Sequence, residues 1–124
     1  VLSIHLGLTS SISSISSEQN GLVPVILEAV GMLRSGSEKV LCVLCDVTLP
    51  KIYLDGQNLL KDSYAISFIV TKAEGTSLKL IQTEDESNIK KTEEQPTALI
   101  NFLSSDMKEI PLNHNGLKWK LIRI

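Results

Sequence analysis

The chain has 124 residues, of which 43% are hydrophobic and 21% charged, so it is neither a disordered tail nor a fibrous repeat. Its 12 basic and 14 acidic residues give a net charge of −2, which argues against nucleic acid as the main partner. The longest apolar run, Val40 to Cys45, is too short to span a membrane. The length predicts one domain over residues 1–124.

The cysteine content and the first residues bear on where the protein works. Two cysteines are too few for the disulfide framework of a small secreted domain, and no signal segment opens the chain. Both observations predict the reducing cytoplasm. The first residue is Val1 instead of methionine, which is typical of a processed or truncated chain.

Two helices are predicted before the first strand. Apolar spacing favours a helix over Ser3–Ser13, although serine and β-branched residues lower the helical propensity there. A stronger helix is predicted over Leu22–Leu33, where apolar residues recur at helical spacing. Asn20 or Gly21 can cap this helix, and Gly36 supplies a left-handed stop.

An unbroken apolar run, Val40–Cys45, follows that helix. A strand that is apolar on both faces is typical of a central strand covered on both sides. A helix that leads directly into such a strand is typical of the second half of a βαβ-like unit. We therefore expect an α/β fold in which helices pack on a mixed sheet.

The middle of the chain predicts two more strands. Tyr64–Thr71 and Ser77–Thr83 are β-rich, and a turn sequence at residues 73–76 joins them, which predicts an antiparallel hairpin. The charge-rich stretch at residues 84–95 is typical of a solvated loop.

The last thirty residues predict a helix, a turn and a strand. Pro96 begins an apolar stripe, so a short helix is expected from there to Ser105. Residues 113–116, Asn-His-Asn-Gly, predict a turn. In the strand that follows, apolar residues from Leu117 to Leu121 alternate with lysines, and we expect this strand to lie near a sheet edge.

Cys42 and Cys45 have the spacing of redox and zinc-binding pairs, but they fall within a predicted strand. Residues three apart in a strand point to opposite faces, so the two thiols can neither bond to each other nor hold one metal ion. We expect two small buried hydrophobic side chains, reduced and free of metal. The sequence also holds no glycine-rich phosphate loop, no G-x-S-x-G elbow and no H-E-x-x-H motif.

Three polar residues are weighed as candidate binding groups. His5 lies in an apolar setting and could titrate near neutral pH, but a half-buried structural histidine is favoured, since no acid or nucleophile is assigned to it. Asp46 ends the predicted central strand, where α/β folds place ligands, or it simply caps a loop. His114 lies in the asparagine-rich turn, which is typical of a surface residue.

Four short motifs occur in a characteristic order: Ser3-Ile4-His5, Leu27-Glu28-Ala29 in the helix that Gly36 closes, Glu38–Asp46 followed by Leu49-Pro50, and Gly116–Lys120 with its tryptophan between lysines. This order resembles the β-ketoacyl synthase-like family, which is related to the amino-terminal half of ketosynthases. The resemblance covers most of the chain and implies a layered, thiolase-like half-fold.

The chain departs from that family where an active ketosynthase carries its nucleophile. In active members a reactive cysteine precedes the main helix, whose amino end favours the thiolate. Here the corresponding stretch is Ile15-Ser16-Ser17-Glu18, which contains no thiol. Ser16 or Ser17 could stand in as a nucleophile, but neither has an identifiable base. Leu6 replaces a family asparagine, and the shortened segment that follows indicates an internally incomplete chain.

The resemblance implies a non-catalytic subunit of the chain-length-factor type. Such a subunit pairs as a heterodimer with a catalytic ketosynthase, works with an acyl carrier protein, and shapes the acyl tunnel in fatty-acid-like, polyketide or aryl polyene biosynthesis. It needs no cofactor and no metal, and its candidate binding residues here are His5, Ser16, Ser17 and Asp46. The alternative is an orphan α/β domain that binds another protein or a small molecule without condensing activity.

Overall fold

The structure is a computed structural model, which describes residues 2–7, 9–15, 21–47, 52, 63–84 and 95–124. The described elements, in chain order, are α1 (Leu2–His5), α2 (Leu22–Arg34), β1 (Lys39–Asp46), β2 (Tyr64–Thr71), β3 (Leu78–Thr83), α3 (Gln95–Ser104), β4 (Glu109–His114) and β5 (Leu117–Arg123). Helices and strands are thus both present, which confirms the α/β character of the prediction. The predicted loop at residues 84–95 lies outside the described residues except at its two ends.

The helix predicted over Leu22–Leu33 is confirmed as α2. Pro24 falls in its first turn, where a missing backbone N–H costs least. Gly36 ends the helix with a φ of +117°, a conformation that side chains with a Cβ rarely adopt. The Gly36 N–H donates to the carbonyl of Leu33 at 3.3 Å, so the stop also satisfies a free helical carbonyl.

The helix predicted over Ser3–Ser13 is wrong over most of its length. The helix observed in this part of the chain is α1, which ends at His5. Gly7 closes it with a φ of +65° and donates its N–H to the carbonyl of Ile4 at 3.2 Å. Residues 9–15 have no regular structure, in keeping with the low helical propensity of serine and isoleucine.

β1 pairs with β2 in a two-stranded antiparallel sheet. Val40, Cys42 and Leu44 face α2 or the core and are only 4–8% exposed, which confirms that α2 packs on β1. Their neighbours Leu41 and Val43 are 66% and 58% exposed. The prediction of a central strand covered on both faces is therefore wrong, because α2 covers one face of β1 and the other face is open to solvent.

The predicted hairpin between Tyr64–Thr71 and Ser77–Thr83 is also wrong. β2 pairs with β1, which has the same length of 8 residues, and β3 pairs with β5. The Thr71 hydroxyl donates to the carbonyl of Glu74 at 2.7 Å and accepts the Glu74 N–H at 3.2 Å. This local turn carries the chain out of one sheet and into the other.

The second sheet has the order β3-β5-β4, so β5 is its central strand and the predicted edge position is wrong. The lysines of β5 are tolerated there because an antiparallel sheet can leave one face open to water. Lys120 reaches Glu109 on β4 at 3.5 Å. Every pairing among the described strands is antiparallel, so the expected mixed sheet is not found in this part of the chain.

The turn predicted at residues 113–116 is confirmed. Asn115 and Gly116 have φ values of 49° and 75° and form a two-residue connection between β4 and β5. Positive φ at both positions is the geometry that a tight hairpin requires, and asparagine followed by glycine adopts it most readily.

The core lies where α2 and α3 meet the two sheets. The helix predicted from Pro96 is confirmed as α3, displaced by one residue, and its Phe102 is fully buried. The main cluster consists of Leu22, Val23, Leu44, Leu99, Phe102, Ile110, Leu112 and Leu121. Arg123 covers it at one side, donating from Nη2 to the carbonyl of Phe102 at 2.8 Å and stacking 5.1 Å from the Phe102 ring centroid.

We predict that Phe102→Ala lowers the free energy of unfolding by about 3–5 kcal/mol, because it leaves a cavity at the centre of this cluster. Ile100→Ala on the same helix is the matched control, since Ile100 is 51% exposed and its truncation costs less than about 1 kcal/mol. Equilibrium unfolding in urea measures both. If both variants lowered the free energy of unfolding by the same small amount, Phe102 would not lie at the centre of the core.

Candidate functional site

The layer formed by α2 and β1 brings the amino end of the helix beside the carboxyl end of the strand. Leu33, late in α2, shares an apolar cluster with Val40 at the start of β1. Leu22, at the start of α2, shares another with Leu44 near the end of β1. The helix and the strand therefore run in opposite directions.

An open groove of about 810 Å³ runs along the layer formed by α2 and β1. Gly21 before α2, Asp46 at the end of β1 and Tyr64 at the start of β2 all line it, and residues 10–15 border it. Glu28 and Lys39 are further charged residues in its lining. A second hollow of about 490 Å³ is lined by Cys45, Asp46, Val47, Ser63, Tyr64 and Ala65.

Of the predicted site residues that the structure describes, Asp46 lines both hollows and His5 neither. It is exposed, and its Oδ1 accepts the N–H of Val47 at 2.8 Å, so the carboxylate also shapes the chain as it leaves β1. Across the sheet it lies opposite Tyr64. The hydrogen bond to Val47 agrees with the capping role weighed for Asp46, and ligand binding by Asp46 stays a prediction.

The other predicted site residues are not brought together with Asp46. His5, at the end of α1, is exposed. It is absent from the described linings of both hollows. Ser16 and Ser17 lie outside the described residues. His114 ends β4 on the other sheet, half-buried, with its Nε2 3.3 Å from Nδ2 of Asn115.

The two cysteines point to opposite faces of β1, as their spacing predicts. Cys42 is buried against α2, and this burial raises the pKa of its thiol. Cys45 is exposed, so the prediction that both are buried is wrong for Cys45. Both thiols are free, and no cluster able to hold a metal ion occurs within the described part of the chain.

Tyr64 and Glu28 are groove residues that the sequence reasoning did not identify. Tyr64 reaches the site only because β2 pairs antiparallel with β1, and this pairing leaves no local signal in the sequence. Glu28 sits on the exposed side of α2, where its position in the helical repeat could have indicated it. Together with Asp46 they give the groove hydroxyl and carboxylate groups.

The family model described as "Beta-ketoacyl synthase, N-terminal domain" matches residues 1–120. The match spans nearly the whole chain, so the protein belongs to this family. Comparisons with curated proteins and with solved structures returned no match. Among the helices of the described residues, none combines the length and the apolar character that a membrane crossing requires.

The buried thiol of Cys42 makes the fold less stable at alkaline pH. Burial raises the pKa of this thiol in the folded protein above its ordinary value of 9.0, so the unfolded chain loses the proton first. The stability that the neutral Cys42 thiol gives the folded chain is fully present below pH 9.0 and decreases as the pH rises above it.

We therefore predict that Cys42→Ala reduces the fall in unfolding free energy between about pH 7 and about pH 10. Cys45→Ala, on the exposed face, should show the same fall in unfolding free energy as the wild-type chain. Urea unfolding at the two pH values measures all three proteins. An unchanged pH dependence in Cys42→Ala would contradict the assignment.

Proposed function

We propose that this chain is a non-catalytic ketosynthase-like subunit of the chain-length-factor type. It pairs in the cytoplasm with an active β-ketoacyl synthase, and the pair receives its acyl chains from an acyl carrier protein. Membership of the β-ketoacyl synthase family supports the association with this machinery. The biosynthesis it serves is of the fatty-acid or polyene kind.

The position of the cysteines is the observation that carries the proposal. Condensation needs a thiolate at the start of the main helix, where the amino end of the helix stabilises negative charge. Residues 15–21 before α2 contain no cysteine. Both cysteines lie on β1 instead, Cys42 beneath α2, where burial raises the pKa of its thiol, and Cys45 on the opposite face of the strand.

The groove supports a role in shaping an acyl chain. Ile15 and Gly21, which flank the stretch where the resemblance places the family's nucleophile, both line it, and its lining mixes apolar residues of α2 and β1 with hydroxyls. Asp46 and Glu28 outnumber Lys39 among the charged residues of this lining, and the resulting net negative charge opposes formation of an oxyanion. A surface of this kind binds and limits a chain without making a bond.

We predict that the purified chain forms no acyl-enzyme. Incubation with an acyl thioester of N-acetylcysteamine should leave its intact mass unchanged, while an active ketosynthase treated in parallel gains the acyl mass. An adduct that disappears in Ser16→Ala or Ser17→Ala would show that a serine has replaced the cysteine and would contradict the proposal.

We also predict that addition of this chain to the condensing synthase of the same organism changes the length of the acyl products. His5→Ala should leave the rate of bond formation within about twofold of wild type, since an exposed histidine away from the groove moves no proton in the reaction. Product profiles by mass spectrometry test both points. If the chain does not alter the product profile and no complex co-purifies, the orphan binding domain is favoured.

A further inference from the structure

The groove beside α2 opens onto a free edge of the sheet of β1 and β2. Among the strands of the described residues, β1 pairs with β2 alone, so one of its edges has no neighbouring strand. The groove is lined by residues of β1 that point toward α2, such as Cys42, and by residues that point away from it, such as Val43. Side chains from both faces of a strand meet one cavity only at the edge of that strand. Of the described residues of β2, only Tyr64 lines the groove, so this edge is the one away from β2.

The free edge of β1 lacks the features that protect exposed strands. An unpaired edge is a row of backbone N–H and C=O groups that another strand can pair with, and proteins usually block it with charges, proline or a bulge. Residues 40–45 contain neither a charge nor a proline, and β1 pairs with β2 residue by residue without a bulge. The backbone groups along this edge therefore favour a further strand.

Residues 10–15 border the same groove and have no regular structure. The segment has the same length as the apolar run at residues 40–45 of β1. Its two isoleucines, Ile12 and Ile15, are 59% and 43% exposed, and being three apart they would point to opposite faces of a strand. Since β1 is apolar on both faces, a strand formed by residues 10–15 would bring one isoleucine to each side of the sheet.

The order of the chain gives such a strand its direction. Gly21 lines the groove at the start of α2, beside the Asp46 end of β1, and Ile15 lies six residues before it. A link of that length spans at most about 22 Å when fully extended. An antiparallel strand would place Ile15 about 20 Å from Asp46 along β1 and would use nearly the whole link. A strand parallel to β1 places Ile15 at the Asp46 end, which is the usual arrangement when a helix connects two neighbouring strands.

We propose that residues 10–15 form a strap that closes onto the free edge of β1 as a third, parallel strand. Closure pairs the open backbone groups of β1 and fills the groove, so the closed strap and a bound molecule exclude each other. That the bound molecule is an acyl chain rests on the proposed function. The strap then regulates the groove, because the chain can enter only when the strap has left β1.

Cys45 is a natural reporter of closure, because its thiol is exposed on the face of β1 away from α2. Ser13→Cys, Ser14→Cys and Ile15→Cys each add one thiol to the strap. Neighbouring residues of a paired strand point to opposite faces, so only a thiol on the same face as Cys45 comes within the distance that a disulfide bridges. The rate of cross-linking under mild oxidation is measured by peptide mapping. Cys45→Ala in each variant is the control.

We expect the cross-linking rate of Ser14→Cys to differ about tenfold or more from those of Ser13→Cys and Ile15→Cys, because position 14 faces the other side of the strap. Equal rates at the three positions would show a segment that passes β1 without pairing and would overturn the proposal. Absence of a cross-link at all three positions would overturn it as well.

Hydrogen exchange provides a second measurement that needs no added thiol. Ser13→Pro removes a backbone N–H from the strap and should speed exchange of the β1 amides at the free edge at least about threefold. Asp106→Pro, in another exposed segment without regular structure, is the matched control and should leave these amides unchanged. If the two variants exchange alike, the strap does not pair with β1.

A binding probe separates the strap from the proposed function. The probe is the dodecanoyl amide of N-acetylethylenediamine, which cannot transfer its acyl group to the added thiols, and calorimetry measures its affinity. At about ten times its dissociation constant it should slow the fastest cross-link about tenfold, since it occupies the open groove. If the cross-links alternate but the probe does not bind, the strap stands and the acyl-binding role fails. If the probe binds without slowing the cross-link, strap and ligand do not compete and the proposal is overturned.

Discussion

The packing of α2 across one face of β1 is the constraint on which the rest of the structure depends. The inner residues of β1 are buried at 4–8% exposure against the helix and the core, and this contact extends from Leu33 and Val40 at one end to Leu22 and Leu44 at the other. Leu22 and Leu44 belong to the main cluster that also holds α3 and the second sheet. Loss of the α2–β1 contact would therefore detach α2 from β1 and also weaken the packing between the two sheets.

The same contact determines what the site can do. Because α2 and β1 run in opposite directions, the start of the helix meets the end of the strand, where Gly21, Asp46 and Tyr64 line one groove. Both thiols lie on β1, Cys42 in the core, where burial raises its pKa, and Cys45 on the exposed face. Residues 15–21 before α2 contain no cysteine, and this is the physical basis of the supporting role that we propose.

The parts of the fold that depend on local sequence could be predicted. The helical repeat of α2, the glycine stop at Gly36, the proline at the start of α3 and the Asn115-Gly116 turn act over a few residues, and each was found where expected. Strand partners could not be predicted, because β2 pairs with β1 and β3 with β5 through contacts distant in the chain. The apolar run of β1 indicates that both its faces favour burial, but it does not indicate which element supplies the cover. For this reason Cys45 was expected in the core and is found on the surface. The place of Asp46 at the end of a strand, beside the hollows, could be predicted, whereas that of Tyr64 could not, since its position depends on the pairing.

A double-mutant cycle between α2 and β1 tests this account most directly. Leu33→Ala and Val40→Ala are made singly and together, and the free energy of unfolding of each protein is measured in urea. Side chains that share one buried cluster should show a coupling energy of about 1 kcal/mol, so the double variant departs from the sum of the single ones. Additive losses, within about 0.3 kcal/mol, would show that the two residues do not pack together and would contradict the layer on which the site is built.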